Sequence, residues 1–360
     1  MSDSLSYRWK SGKPFKAWFF VKGFVKTCFP SFIYRKRKEK LLQQLEKRKD
    51  KDYILERVEY YNKAKHPHAL PSITLHKHNG HYYHFLNKMH QFKPSTFHKA
   101  YYLDLQDAVR YFDSSLRISY IPGDVYFTPE YPSIVKSRLL SRDNQNSILL
   151  KLDKLRHFIY VNDKIPFEQK KNQAIFRGKI RLSRQREQFL KMYFGSAICD
   201  CGIVEKNSSH PQWITPKKTI SEHLEYKFIM ALEGNDVASN LKWVMSSNSI
   251  AVMPRPTCET WFMEGKLIPN YHYIEIKEDL SDLEERLNYY ICHPLEALEI
   301  IDHAHEYIQQ FMDEEREEII QLLVMDKYFK ITAETSPQRE DNVHPDIQKN
   351  SIRTTNESSF

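Results

Sequence analysis

Two short apolar runs, set apart by a polar loop, restrict the fold of this chain more than any other feature. Tyr226-Lys-Phe-Ile-Met-Ala-Leu232 and Ser249-Ile-Ala-Val-Met253 are too short for buried helices and too continuous for half-exposed strands, so they read as strands covered on both faces. Between them lie the loop Glu233-Gly-Asn-Asp-Val-Ala-Ser239 and a helical stretch to about Ser246. Strand, loop, helix and strand make a βαβ unit, which implies a parallel sheet. A further strand is predicted over 272–276, and Ser281-Asp-Leu-Glu284 has the form of a capping box that predicts a helix start there. The C-terminal half is therefore α/β. Upstream, mixed segments over about 52–165 are punctuated by Pro67, Pro71, Pro94, Pro122, Pro129 and Pro132, and residues 114–128 predict a strand ending at Pro122-Gly123-Asp124.

With 360 residues, two domains are the better expectation. Only nine residues are glycine, and neither G-x-G-x-x-G nor G-x-x-x-x-G-K-[ST] occurs, which weighs against common dinucleotide oxidoreductases and P-loop NTPases. Five irregularly spaced cysteines and no small-residue cleavage site predict reduced thiols in the cytoplasm. No run approaches the roughly 18 apolar residues of a membrane span.

The net charge of +8 is unevenly placed. Residues 1–51 carry fifteen Lys and Arg against four acids, +11, so the rest of the chain carries −3. An acidic body argues against a folded surface that reads nucleic acid. Within the arm, Phe15–Tyr34 mixes large aromatics with lysines, and Arg35-Lys-Arg-Lys-Glu-Lys40 follows. That combination suits the headgroup region of an anionic membrane; a first helix packed on the body with solvated lysines is the plainer alternative. Residues 38–60 predict a helix leading into the body, and the polar residues 333–360 predict a disordered tail.

Several constellations carry chemistry. His76, His78, His81, His84 and His90 crowd together, which zinc can use, but the spacing is not H-E-x-x-H and Tyr82, Tyr83 and Phe85 suit ordinary packing. Cys199-Asp-Cys201 lacks a second pair at zinc-finger spacing. Phe176-Arg-Gly178 follows Ala174-Ile175 and precedes Lys179, Arg181, Arg184 and Arg186; arginines beside a glycine at a strand end suit phosphate, although basic runs are commonly solvated faces. The loop Glu233–Ser239 is more informative. It stands at the carboxyl end of a predicted buried strand and leads into a helix, where open α/β sheets bind ligands and free N–H groups donate to anions.

Taken in order, these stretches resemble glycosyltransferase family 90, which contains bacterial lipopolysaccharide A proteins, fungal capsule-associated proteins and animal protein O-glucosyltransferases. The matching segments are Phe176-Arg-Gly178 with its basic residues, Glu225–Gly234, Asn235–Lys242, Ser249–Met253, Glu259-Thr-Trp-Phe, Pro269-Asn-Tyr-His-Tyr273 and Asp279-Leu-Ser-Asp-Leu283. The resemblance runs from roughly 95 to 325, is densest over 220–310, and is nearest to the lipopolysaccharide-core branch. It implies an α/β, GT-B-like fold with two Rossmann-like domains facing a cleft. The acceptor domain would span 52–165 and the nucleotide-sugar domain 166–332, preceded by the basic helical arm 1–51. It also implies an inverting enzyme that uses a UDP-hexose and needs no metal.

By position, the resemblance places Arg177, Lys179 and Arg186 in the nucleotide-binding segment. Gly234, Asn235, Asp236, Val237, Ala238 and Ser239 fall in the diphosphate loop, and Lys242 in the helix after it. Asp124 best matches the general base, which would take the proton of the acceptor hydroxyl. Many relatives carry an Arg two residues before the helix lysine; here that position is Asn240, so Lys242 or an arginine of the 177–186 segment must supply the charge. Cationic side chains and N–H donors around the departing diphosphate would stabilise its developing charge. Glu259, at a predicted loop-to-helix junction, is a candidate for sugar hydroxyls, with a dipole-favoured helix acid as the alternative.

The expected activity is hexosyl transfer, of glucose or galactose, to a lipid-linked lipopolysaccharide or lipooligosaccharide core acceptor. The expected place is the cytoplasmic face of a Gram-negative inner membrane, with the arm on the anionic surface and no nucleic acid as partner. The alternatives are an O-glycosyltransferase acting on a protein or soluble glycan, a nucleic-acid-binding protein using the arm, and a zinc hydrolase using the histidines.

Overall fold

The computed structural model describes residues 16–333 apart from 72, 74, 79–80, 87–98, 141–142, 181–182 and 206–207. The first fifteen residues of the arm and residues 334–360 of the predicted polar tail lie outside the described residues. The chain is α/β, as its apolar runs imply. It opens with helices α1 (Lys16–Thr27), α2 (Ser31–Lys47) and α3 (Lys51–Tyr61). The single helix predicted over 38–60 is thus two. Arg48 leaves the helix in an extended conformation, and its guanidinium is held 2.7 Å from Asp50 and 2.6 Å from Asp313.

The first sheet contains β1 (Leu75–His78), β2 (His81–Leu86), β3 (Ile118–Tyr120), β4 (Ser133–Val135) and β6 (Ser147–Leu149), in that spatial order, with α4 (Lys99–Val109) between β2 and β3 in sequence. Its first three strands pair antiparallel and its last three parallel. β5 (Ser137–Leu139) leaves this sheet just after β4, and the short helix α5 (Lys154–His157) follows β6.

The second sheet is wholly parallel, ordered β12-β10-β9-β7-β8. Its strands are β7 (Lys171–Gly178), β8 (Cys199–Ile203), β9 (Tyr226–Met230), β10 (Ile250–Met253) and β12 (Ile274–Glu275). The order reverses between β7 and β9, which makes their carboxyl ends the switch point where such sheets hold ligands. α6 (Arg184–Tyr193), α7 (Ile220–His223) and α8 (Leu241–Met245) connect the strands.

Strand periodicity explains why the apolar runs are continuous. Phe228 and Met230 join Ala174, Phe176 and Val252 in a core against Phe189 and Leu190 of α6. Ile229, Ile175 and Ala251 point the other way, into a core shared with Trp243, Val244 and the first sheet's Ile134 and Leu149.

Three helices close the chain: α9 (Leu283–Cys292), α10 (Pro294–Gln309) and α11 (Glu314–Ala333). The capping box predicted at Ser281–Glu284 does not form. Asp282 is the N-cap residue and makes no side-chain cap; its carboxylate accepts from the Lys277 amide at 2.8 Å, and Ser281 bonds Asp279. The reciprocal box is found instead at Thr219 and Glu222, opening α7.

α11 runs back to pack on α2, α3 and α4. Its Glu317, 5% exposed, is ion-paired with Arg57 (2.6 Å) and Lys151 (2.9 Å) and accepts from the Trp261 indole at 2.7 Å. The sheets are also stitched by β5 and β11 (Cys258–Thr260), an antiparallel pair whose register sets Arg138 opposite Glu259. Both side chains are fully buried, with Arg138 Nε 2.7 Å from Glu259 Oε1. Arg138 also donates to the carbonyls of Tyr60, Tyr61 and Ser147, and the Tyr60 hydroxyl donates to Glu259.

Removing one member of such a pair strands a charge in the interior, at a cost of roughly 3–5 kcal/mol. Glu259→Leu is therefore expected to lower the thermal midpoint by several degrees; a midpoint within a degree of the parent would show that the pair has no such weight.

Candidate active site

At the switch point, β7 ends on Gly178 and β9 continues through Ala231 and Leu232 into the loop 233–239. Ser183 caps α6 by accepting from the Arg186 amide, and its hydroxyl donates to the Glu233 carbonyl at 2.9 Å. Arg186 folds over this junction, donating to the Leu232 and Lys179 carbonyls at 2.8 Å each. A Cβ at position 234 would lie 3.1 Å from Arg186 Nη2, so the loop rests on the guanidinium because residue 234 is glycine. The Glu233 carboxylate accepts from the Thr257 amide and hydroxyl and the Cys258 amide, tying the loop to β11; burial raises its pKa against these bonds. Lys179 is exposed, 3.9 Å from Glu205.

The first sheet supplies the opposite wall. Asp124 lies in the loop after β3, and Lys136, 1% exposed, stands at the bend between β4 and β5. The Lys136 ammonium is 2.6 Å from Asp124 Oδ1 and 2.5 Å from Asp236 Oδ2. Ser137 donates to Asp236 at 2.6 Å, and Asn235 Nδ2 is 3.4 Å from Asp124 Oδ2. Arg156 adds a second cation, 3.7 Å from Asp124 and 2.6 Å from Asp153. Burial raises the Asp236 pKa, and Lys136 pulls it back. Two segments singled out separately in the sequence, Asp124 and the loop Gly234–Ser239, thus meet across one buried ammonium.

Other candidates lie elsewhere. Arg177 turns to the β7–β8 edge, where it is bound by the Asp200 carboxylate at 2.5 Å and by the Asp200 and Pro216 carbonyls. Lys242 is fully buried in α8, its ammonium 2.5 Å from Glu264. Of the two sources of charge named for the position of Asn240, Arg186 is the one that touches the loop among the described residues; Asn240 itself donates to the Met230 carbonyl. Glu259 is in strand β11, not at a loop-to-helix junction, and reaches no open surface. The helix after the loop has five residues, too few for a sizeable dipole. Val237 and Ala238 are buried and, with Gln185, Ala231, Glu233 and Pro254, line a narrow cleft, while Ser239 is exposed.

Lys136, Ser137 and Arg156 were not singled out in the sequence. Lys136 had a signal: a charge directly after the apolar Ile134-Val135, at the end of a short strand-like run. Arg156 had none, since its partner Asp153 stands in a left-handed turn before α5 that propensity does not mark. Of the histidine cluster, the side chains of His76, His78 and His81 and all of His90 lie outside the described residues; the backbone pairs His78 with His81 across the β1–β2 hairpin. Among the described residues, no three His, Cys, Asp or Glu side chains are grouped to hold a metal.

A parallel sheet whose switch-point loop meets an acidic and basic cluster from a second sheet is an arrangement in which α/β proteins hold ligands. The sequence model of glycosyl transferase family 90 matches residues 147–358. The chain is also 39% identical to the O-glucosyltransferase LpsA of Dichelobacter nodosus over 278 residues, covering 77% of this chain and 83% of that protein. The chain belongs to glycosyltransferase family 90 and is a glycosyltransferase.

The turn that carries Arg156 rests on Asp104, fully buried, whose carboxylate accepts from the Lys154 amide at 2.9 Å. Burial lifts the Asp104 pKa to about 6, with Lys154 working against the rise. A carboxyl raised in the fold binds its proton more tightly there than when unfolded. Its ionisation therefore costs stability, a cost absent below about pH 4 and complete above about pH 6. Asp104→Asn keeps an oxygen for the Lys154 amide, and is expected to stabilise by about 1–3 kcal/mol at pH 7.5 and by little at pH 4. Unfolding midpoints at the two pH values test this, and a pH-independent difference would refute it.

Proposed function

We propose that this glycosyltransferase moves a hexose from a UDP-sugar, with inversion, to a lipopolysaccharide or lipooligosaccharide core acceptor. We place it peripherally on the cytoplasmic face of a Gram-negative inner membrane. The observation that carries the reading is the meeting of Asp124 with the 234–236 loop, because in-line displacement needs a base on one side of C1 and a leaving-group site on the other. The name of the Dichelobacter nodosus relative, an O-glucosyltransferase, favours glucose over galactose.

In this reading the sheets belong to two Rossmann-like domains of GT-B type, 52–165 for the acceptor and 166–332 for the nucleotide sugar. Asp124 accepts the proton of the acceptor hydroxyl as that oxygen attacks C1 and the C1–phosphate bond breaks. Lys136 positions Asp124, holding one of its oxygens at 2.6 Å. The departing diphosphate lies against Arg186, Lys179 and the loop at Gly234 and Asn235, at the start of α6. Fixed cations and N–H donors stabilise charge that grows in the transition state, commonly by several kcal/mol. We propose that they do so without a resident metal. Lys242 and Glu259 act from behind, through Glu264 and Arg138, and Arg177 braces the sheet edge.

Asp124→Asn should lower kcat by about 10²–10⁴-fold while UDP still raises the melting temperature. Arg186→Ala should weaken the UDP-induced shift. Protection by UDP and UDP-glucose, but not by GDP-mannose or CMP, and unaltered by chelator, is the expected pattern. Undiminished turnover in Asp124→Asn would remove Asp124 as the base, and an absence of any nucleotide-induced shift would overturn the donor assignment.

A further inference from the structure

Helix α1 is docked on the body by one side only. Gly23 faces α4, where a Cβ would lie 2.7 Å from a Leu103 methyl, and Lys26 is 3.1 Å from Asp107. Phe19 and Phe20 are half-buried beside them. On a wheel of 3.6 residues per turn the other side carries Ala17, Trp18, Val21, Phe24 and Val25, and all five are exposed, Trp18 by 67%. The turn after α1 and the start of α2 add exposed Phe29, Phe32 and Ile33. Soluble surfaces rarely gather so many large apolar groups in one place. A helix packed on a domain for stability alone would turn these large apolar groups inward, whereas here they face outward.

The arm's charge divides in the same way. Lys26, Arg37, Lys38 and Arg48 pair with acids of the body, Asp107, Glu318, Asp326 and Asp313. Lys22, Lys36 and Lys40 remain exposed beside the apolar face. No described helix is long and apolar enough to cross a bilayer.

From this juxtaposition we infer that α1 and the start of α2 form a rigid foot that lies in the interface of an anionic bilayer. The apolar stripe enters the acyl boundary and the lysines stay among the headgroups. The inference deepens the peripheral-membrane part of the function proposed above, and adds that the arm is no loose tether. Because α1 is latched to α4 while its far side meets lipid, binding fixes the orientation of the body, and of the Asp124 cluster, relative to the membrane. A nucleic acid does not suit the site, since the exposed face is aliphatic and aromatic with its cations only at the border. Lipid answers both parts.

The full-length chain is tested by co-sedimentation with vesicles of phosphatidylcholine alone and with about one-third phosphatidylglycerol. The parent should prefer the anionic vesicles. Trp18→Ser with Val25→Ser should reduce partitioning roughly tenfold or more, and Lys22→Glu with Lys36→Glu should abolish the preference for anionic lipid, both with the UDP-induced thermal shift intact. A disulfide between Gly23→Cys and Leu103→Cys, in a background lacking the exposed Cys28 and Cys292, locks the foot to the body and should leave vesicle binding unchanged. A parent chain with no preference for anionic vesicles overturns the membrane reading itself. Full binding by the Trp18/Val25 variant overturns this face and leaves that reading standing. Binding lost on locking overturns the rigid foot in favour of a tether, and a dimer that the Trp18/Val25 variant dissolves reassigns the stripe to a subunit interface.

Discussion

The relation of the two sheets depends on a line of buried charge centred on Arg138 and Glu259. The line begins at Tyr60 in α3, crosses the ion pair at the β5–β11 seam, and continues one residue on through Thr260, whose amide and hydroxyl bond Glu264. It ends at Lys242 in α8, within the second sheet's layer. Ion pairs of this kind seldom outperform apolar side chains in stability, but they tolerate few alternative arrangements, because any shift leaves a charge unpaired in the interior. An apolar seam would let the sheets slide by an ångström at little cost; this one does not. That restriction is what allows an aspartate from one sheet and a loop from the other to form one site.

Lys136 extends the same logic to the site itself. It stands between two carboxylates, one from each wall, and is itself almost wholly removed from water. Without the ammonium, Asp124 and Asp236 would face each other as like charges in a poorly screened place. With it, the walls are drawn together while Asp124 keeps one oxygen toward Asn235. The ligand-facing chemistry and the closure of the two walls therefore share a single cation, so the geometry of the site is inseparable from the packing of the sheets.

Much of this was legible in the sequence, for a physical reason that also marks where legibility ends. A strand covered on both faces must be apolar throughout, so the runs at 226–232 and 249–253 announced a parallel sheet, and the loop between them marked the carboxyl end of a central strand. Composition located the excess of positive charge in the first 51 residues. A charged side chain, however, shows its chemistry but not its partner. Glu259 and Lys242 looked like ligands for sugar and phosphate because Arg138, 121 residues away, and Glu264, 22 residues away, cannot be paired with them by spacing. Lys136 was passed over because its partners lie in two other loops. The break at Arg48 was hidden in the same way, its cause being Asp313 at the far end of the chain.

The return of α11 separates the order in which this chain is made from the order in which it can be completed. Arg57 and Lys151, on elements that leave the ribosome early, are buried against Glu317, which is among the last described residues to emerge. Until then the first sheet lacks one of its covering helices and two of its cations lack their carboxylate, whereas the second sheet already has its own strands and flanking helices in hand. Domains normally mature from the N-terminus during synthesis. Here the earlier-made sheet cannot be completed until the last described helix has emerged, because Arg57 and Lys151 find their carboxylate only there.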